Sequence, residues 1–338
     1  MKISIVVRNC IYIILVGLFI SSFFLRSFLP EKMVQDSVKL LKMINENSSG
    51  IDSFSRSAQT INFLSFGYVN IFILILALLY LFLLSRHFVY TKHFFVFLLF
   101  LAPNLILNLL IPGKELLVVL ISVLVVFCVK YIKNKYLPLL VIIILYLFYG
   151  YYIRLYYILI LMVFFFIFFL LNLKKTRYKV LLTSFLFFNI ALFLPEEIYP
   201  MIFAQRDLSN DFAISIGSIN RTAFNNLYLP TNFIEAIINY IYISSIILFP
   251  IIYFYSIKEV FLTIINFYII KFFLMIRNIK RTYKTNILYA LFYSHLFVLI
   301  IFEPDLGSYL RHITSCSLYF VSYMYFIKTD IENCARKI

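Results

Sequence analysis

The chain has 338 residues, 63% of them hydrophobic and 20% aromatic, with no tryptophan. Apolar runs of about 15–22 residues recur along its length, near the ~20 that cross a ~30 Å hydrocarbon core, which excludes a sizeable soluble domain. The runs are apolar all round, which excludes a β-barrel, and the net charge of +15 lies in short clusters between runs, which argues against nucleic acid as a partner.

The expected fold class is all-α: a polytopic integral membrane helix bundle with about 10–11 transmembrane helices. A single domain, residues 1–338, would hold all of them, with polar loops at about 26–60 and 195–232 on the outer face. The first run, about Ile3–Leu25, follows Lys2 and Arg8 and lacks a small-residue cleavage site, so an uncleaved span is expected. In the loop after it, Val38, Leu40, Leu41 and Ile44 have helical spacing and predict a surface amphipathic helix. The second span is expected over about Ile61–Leu84, closed by Arg86, His87, Lys92 and His93 as a cytoplasmic turn.

The third span, about Phe94–Ile111, carries Pro103, Asn104 and Asn108. The two asparagines are four apart, share one helix face and should turn to other helices rather than to lipid. Spans four to seven follow at about Leu116–Val129, Leu137–Gly150, Leu155–Leu173 and Val180–Leu194. The two runs Phe233–Tyr255 and Val260–Ile276 must make an odd number of crossings, because Arg277, Lys280, Arg281 and Lys284 mark cytoplasm again. One of the two is expected to be re-entrant or interfacial; Pro250 points to the first. The last spans, Asn286–Phe302 and Ile313–Ile327, lead to a basic tail with Arg336 and Lys337. Four cysteines without ligand spacing and four dispersed histidines predict no disulfide and no metal site.

Some cations sit on the outer side, next to spans, against the usual bias: Lys114, Arg154, Arg221 and Arg311. With Glu115, Glu303, Asp305 and His312 they mark four stretches able to converge on one outward-facing cavity. Such a cavity suits a phosphate or pyrophosphate head group, for which arginine offers forked donors. Glu303, Asp305 and His312 are candidates to orient or deprotonate a hydroxyl. Each residue also has a plain structural role open to it, with Glu115 paired to Lys114 and Glu303 to Arg311. Tyr149, Tyr151, Tyr152, Tyr156 and Tyr157 suit either an interfacial belt or stacking on sugar rings.

The stretch Glu303-Pro304-Asp305-Leu306-Gly307-Ser308-Tyr309-Leu310-Arg311-His312 resembles the PD-x-GS-x-x-RH pattern of Wzy-type O-antigen and capsular polysaccharide polymerases. Pro112-Gly113-Lys114-Glu115 is similar to their S-K-E stretch, with glycine for serine. Arg154, and Arg221 in Arg-Thr-Ala-Phe-Asn-Asn, stand where that family tends to carry arginines. The resemblance implies a multi-pass protein of the bacterial inner membrane with its active face in the periplasm. It would transfer a glycan from undecaprenyl pyrophosphate onto the next lipid-linked repeat unit. Glu303, Asp305 and His312 would be catalytic, and Lys114, Glu115, Arg154, Arg221 and Arg311 would bind substrate. The donor carries its own leaving group, so no cofactor is implied. The implied partners are the lipid-linked oligosaccharide, membrane lipid, and a chain-length regulator and flippase. Three other readings stay open: another transferase or ligase acting on lipid-linked sugars, a repeat-unit flippase, and a structural or assembly subunit without catalysis. A flippase would be expected to carry mid-span charges and repeat-related halves.

Overall fold

The computed structural model describes residues 3–29, 31–46, 50, 52–87, 94–193, 195–215, 221–275 and 281–335. The described residues form helices and connections, with one isolated β-bridge, in line with the all-α expectation. In chain order the helices are α1 (Ile5–Phe24), α2 (Glu31–Asn45), α3 (Ser53–Ser65), α4 (Val69–His87), α5 (Phe94–Asn104), α6 (Glu115–Tyr131), α7 (Tyr136–Tyr152) and α8 (Tyr156–Asn172). They continue with α9 (Thr176–Phe193), α10 (Ile198–Ser215), α11 (Phe233–Leu248), α12 (Pro250–Tyr253), α13 (Ile257–Met275), α14 (Tyr283–Phe302), α15 (Leu306–Ser315) and α16 (Ser317–Ala335). Three of them, α1, α4 and α14, are long and apolar enough to cross a membrane. The expected anchors Lys92, His93, Arg277, Lys280, Arg336 and Lys337 lie outside the described residues.

The chain divides into two compact units, Met1–Met162 with Arg277–Phe292 and Thr314–Ile338, and Val163–Ile276 with Tyr293–Ile313. In the first, α6 is buried on nearly every side, as a helix without a polar face must be. By contrast α1 buries only Phe19 and Phe23 and turns Ile13, Leu18 and Phe24 outward. An outward face so apolar fits lipid rather than water. Pro103 removes a backbone donor from α5, and the next turn widens into a π-helix, Leu105–Leu110. At this break Asn108 Nδ2 donates to Asn104 Oδ1 (2.7 Å) and to Thr314 Oγ1 (3.3 Å). The asparagine pair thus faces protein, as its spacing predicts.

The amphipathic segment forms α2, with Leu40 and Ile44 buried, and it packs on α3. The expected start of the second span at Ile61 falls inside α3, a separate helix. Asp52 caps α3 by accepting from Ser55 N (2.7 Å), and the helix ends where Phe66 (φ 49°) and Gly67 (φ 82°) turn the chain before α4. Its buried Ser55, Ser57 and Thr60 suit a protein contact, not a lipid-facing span.

In the second unit, the run Phe233–Tyr255 is broken at Pro250 into α11 and α12. Side chains of α13 take up backbone groups at the break: Asn266 Nδ2 donates to Ile247 O, and Ile251 N donates to Thr263 Oγ1 (3.4 Å). A broken helix keeps its polar backbone out of hydrocarbon in this way. The stretch 195–232, expected as a loop, contains α10. Its Tyr199, Phe203 and Arg206 lie at i, i+4 and i+7 and are all buried.

Candidate functional site

The second unit contains the C-terminal motif, and its geometry follows from a helix break. α14 ends at Phe302, and Pro304 cannot continue it. Asp305 then starts α15: its Oδ1 accepts from Gly307 N (2.7 Å) and Ser308 N (3.0 Å). A Cβ on Gly307 would stand 3.0 Å from that same oxygen, so glycine leaves room for the cap. Ser308 and His312, four apart on one face of α15, both reach back to Glu303. Glu303 is 1% exposed; its Oε2 accepts from Ser308 Oγ, and its Oε1 pairs with His312 Nδ1. Nδ1 of His312 faces the carboxylate, so the acid fixes the orientation of the imidazole ring. The arrangement is that of an oriented base, with the acid holding the imidazole.

The Arg221–Asn226 stretch is stitched to this turn by backbone. Ala223 bridges Asp305, Phe224 N donates to Pro304 O (2.8 Å), and Leu306 N donates to Thr222 O (3.4 Å). Arg221 Nη2 donates to Glu259 Oε1 (2.8 Å), pairing an exposed guanidinium with a buried carboxylate in the first turn of α13. Arg311, beside His312 on α15, is partly exposed. The plain role expected for Glu303 is a pair with Arg311; the contact seen here is with His312.

Sequence reasoning missed Arg206. It is fully enclosed, with Nη2 donating to Asn226 Oδ1 and Nη1 to Ile301 O (3.5 Å). Asn226 Nδ2 in turn donates to both Asp207 oxygens (3.1 and 3.0 Å). Burial pulls the Arg206 guanidinium down to about 10 and pushes the Asp207 carboxyl up. The network ties α10 to the loop strand that pairs with Pro304 and Asp305. The i, i+4, i+7 pattern Tyr199, Phe203, Arg206 was the signal that could have found it.

The first unit holds the other expected site residues. Glu115 opens α6, is 2% exposed, and accepts from Arg154 Nη2 at 3.1 Å, a partner far away in sequence, beside the adjacent Lys114. Arg154 Nη1 also donates to Tyr156 Oη (2.8 Å), and Tyr149 O accepts from Arg154 N (2.9 Å). The tight passage from α7 to α8 needs Gly150, because a Cβ there would meet Ile158 Cγ1 at 2.7 Å and Ile158 N at 3.1 Å. Tyr149 and Tyr157 are buried with ring centroids 4.3 Å apart, so both are packing residues; Tyr151, 82% exposed, is not.

Lys114 lies 4.0 Å over the Phe54 ring, and its Nζ donates to Ser53 Oγ (3.3 Å). Burial, and then the neighbouring Arg154, pull its pKa down to about 8. Arg56 of the same helix α3 donates to Tyr152 O (2.9 Å), and Tyr152 Oη donates to Gln59 Oε1 (2.8 Å), so α3 is fastened over the α7–α8 turn. The structure thus gathers Lys114, Glu115 and Arg154 in one unit, and Arg221, Glu303, Asp305, Arg311 and His312 in the other. Comparison with protein-family models, curated proteins and solved structures yields no match.

Proposed function

We propose that the chain is a multi-pass membrane glycosyltransferase of the polysaccharide-polymerase kind. It moves a glycan from a polyprenyl pyrophosphate carrier onto the next lipid-linked repeat unit, at the periplasmic face of a bacterial inner membrane. The observation that carries this reading is the buried Glu303–His312 pair, seated behind Ser308 at the start of α15. His312 takes the proton of the acceptor hydroxyl as that oxygen attacks the anomeric carbon. The bond from that carbon to the pyrophosphate oxygen breaks, and the carrier pyrophosphate leaves with the electron pair. Glu303 holds the ring in place and stabilises the imidazolium. Asp305 acts by capping α15 and so positions Ser308 and His312. Lys114 and Arg154 supply cationic donors suited to phosphate oxygens, with Glu115 holding Arg154 in place.

The test is deletion of the gene followed by analysis of surface glycan and lipid-linked intermediates. Loss of a polymerase leaves exported lipid carrying a single repeat unit, whereas loss of a flippase traps that unit on the cytoplasmic leaflet. Loss of a ligase leaves polymer on the polyprenyl carrier. Reporter fusions after Gly113, Tyr152 and Gly307 should report the periplasm, and fusions after Lys135 and Lys284 the cytoplasm. A cytoplasmic signal at Gly307 would overturn the reading.

A further inference from the structure

At the opposite end of α6 from Glu115, the first unit contains a cavity of about 470 Å³ that the glycan reaction does not use. Lys133 and Lys135 stand in the α6–α7 connection, Lys284 opens the first turn of α14, and Asn134, Thr282 and Phe326 complete the lining that matters here. None of the described lining residues is acidic. Lys133 and Lys135 are exposed and have no ion-pair partner among the described residues. Lys284 is braced: its Nζ donates to Lys130 O (3.0 Å) and lies 5.9 Å from the Phe326 ring centroid. The floor is apolar, with Val129, Pro138 and Ile287 buried.

Three like charges around one concavity repel each other, and only an anion relieves that repulsion. Two helices, α7 and α14, also begin at this cavity, and their dipoles favour negative charge there. Asn134 Oδ1 already accepts from Tyr136 N (2.9 Å), and Pro138 has no N–H, so the ammonium groups rather than free backbone donors would hold the ligand. The volume lies in the range of small-molecule sites.

We propose that this cavity is a binding site for a phosphate-bearing anion, held by Lys133, Lys135 and Lys284 and separate from the glycan-transfer residues. In the topology proposed above it opens to the cytoplasm, where the anion comes either from an anionic lipid headgroup or from a free phosphorylated molecule. The site is independent of the polymerase reading, because its evidence is the cavity and its charges.

The experiment uses the full chain in lipid nanodiscs and reads the thermal unfolding midpoint. The discs contain phosphatidylcholine alone, phosphatidylcholine with added inorganic pyrophosphate, or phosphatidylcholine with phosphatidylglycerol. Stabilisation by pyrophosphate, lost in Lys133→Gln/Lys135→Gln, supports the site with a free anion as ligand. Stabilisation by phosphatidylglycerol alone, lost in the same variant, supports it with a headgroup as ligand. In either case the half-saturating concentration should rise about tenfold or more in the variant. An equal response of wild type and variant to both probes, or no response of either, overturns the proposal. Should the variant fail to assemble, a salt titration of the wild type decides. The response must weaken as ionic strength rises, and a salt-independent response overturns the site.

Discussion

Glu115 and Glu303 are both buried acids at helix breaks, but each faces a different partner. Glu115 opens α6 against Arg154, whose guanidinium stays charged at any working pH. Glu303 follows α14 and faces His312, an imidazole, the kind of side chain that can take up or release a proton. Arg154 is further enclosed by Tyr149, Tyr156 and Tyr157, with Tyr156 Oη as an acceptor. Around His312 the acid is shared with Ser308, which fixes the imidazole and the hydroxyl on one carboxylate. The first pair can hold charge and orient a cation. The second can pass a proton. A buried acid therefore acquires its role from its partner, and the two pairs should fail in different ways when cut.

The largest effect is expected at the second pair. His312→Ala should lower the rate of chain extension by about 10²–10⁴-fold, and Glu303→Gln should lose most of the same factor, with protein level little changed. The measurement is polymer formed per unit of protein in membranes supplied with lipid-linked repeat units. Normal extension by either variant at normal abundance would reduce the pair to a structural contact.

The first pair should fail through stability. Arg154→Ala takes the guanidinium from the buried Glu115 and should destabilise by about 3–5 kcal/mol, as should Glu115→Ala from the other side. Replacing both by leucine should recover most of the unfolding midpoint while polymer stays absent, which separates holding the fold from holding the ligand. If the double variant makes full-length polymer, Arg154 binds no phosphate.

How far these pairs were legible depends on whether contact follows from spacing. The asparagines of α5 and the π-turn were, because four residues apart on a helix means one face, and the 2.7 Å bond between them follows. The apolar face of α2 was legible for the same reason. The Glu303–His312 pair was not, because a separation of nine residues becomes a contact only after Pro304 ends one helix and Asp305 caps the next. Nor was Arg154–Glu115, whose partners are 39 apart and meet through tertiary packing. Arg206 was hidden by the polarity of its neighbours, which made α10 read as loop. Hydropathy marks the apolar helices, but the polar segments between them fold by capping and side-chain bonds that no window average records.

A smaller effect should come from the turn that carries Arg154. Gly150→Ala forces a Cβ against Ile158, including its backbone nitrogen, and should cost about 1–3 kcal/mol as α7 and α8 move apart. Because Arg154 N is bonded to Tyr149 O in that turn, the same variant should also weaken binding of the lipid-linked substrate. Its chain extension at saturating substrate should remain close to normal. A drop in the saturated rate without a change in apparent affinity would overturn a substrate-binding role for the Arg154 turn.

The smallest expected effect concerns Lys114, and it sharpens the contrast because stability and binding should move in opposite directions with pH. Burial pulls the folded-state pKa to about 8, below the ordinary 10.5. Between those values the unfolded chain holds a proton that the folded chain has released, so stability rises with pH across that window. From pH 7 to pH 9 the gain should be about 1 kcal/mol, seen as a rising unfolding midpoint in wild type and absent in Lys114→Met. That variant should also be no less stable than wild type at pH 7, since it removes a buried charge. Over the same range the ammonium that would hold a phosphate is lost, so affinity for a pyrophosphate-linked substrate should fall as the protein grows more stable. Affinity that stays flat to pH 10 in wild type would remove Lys114 from the binding site, whatever the unfolding curve does.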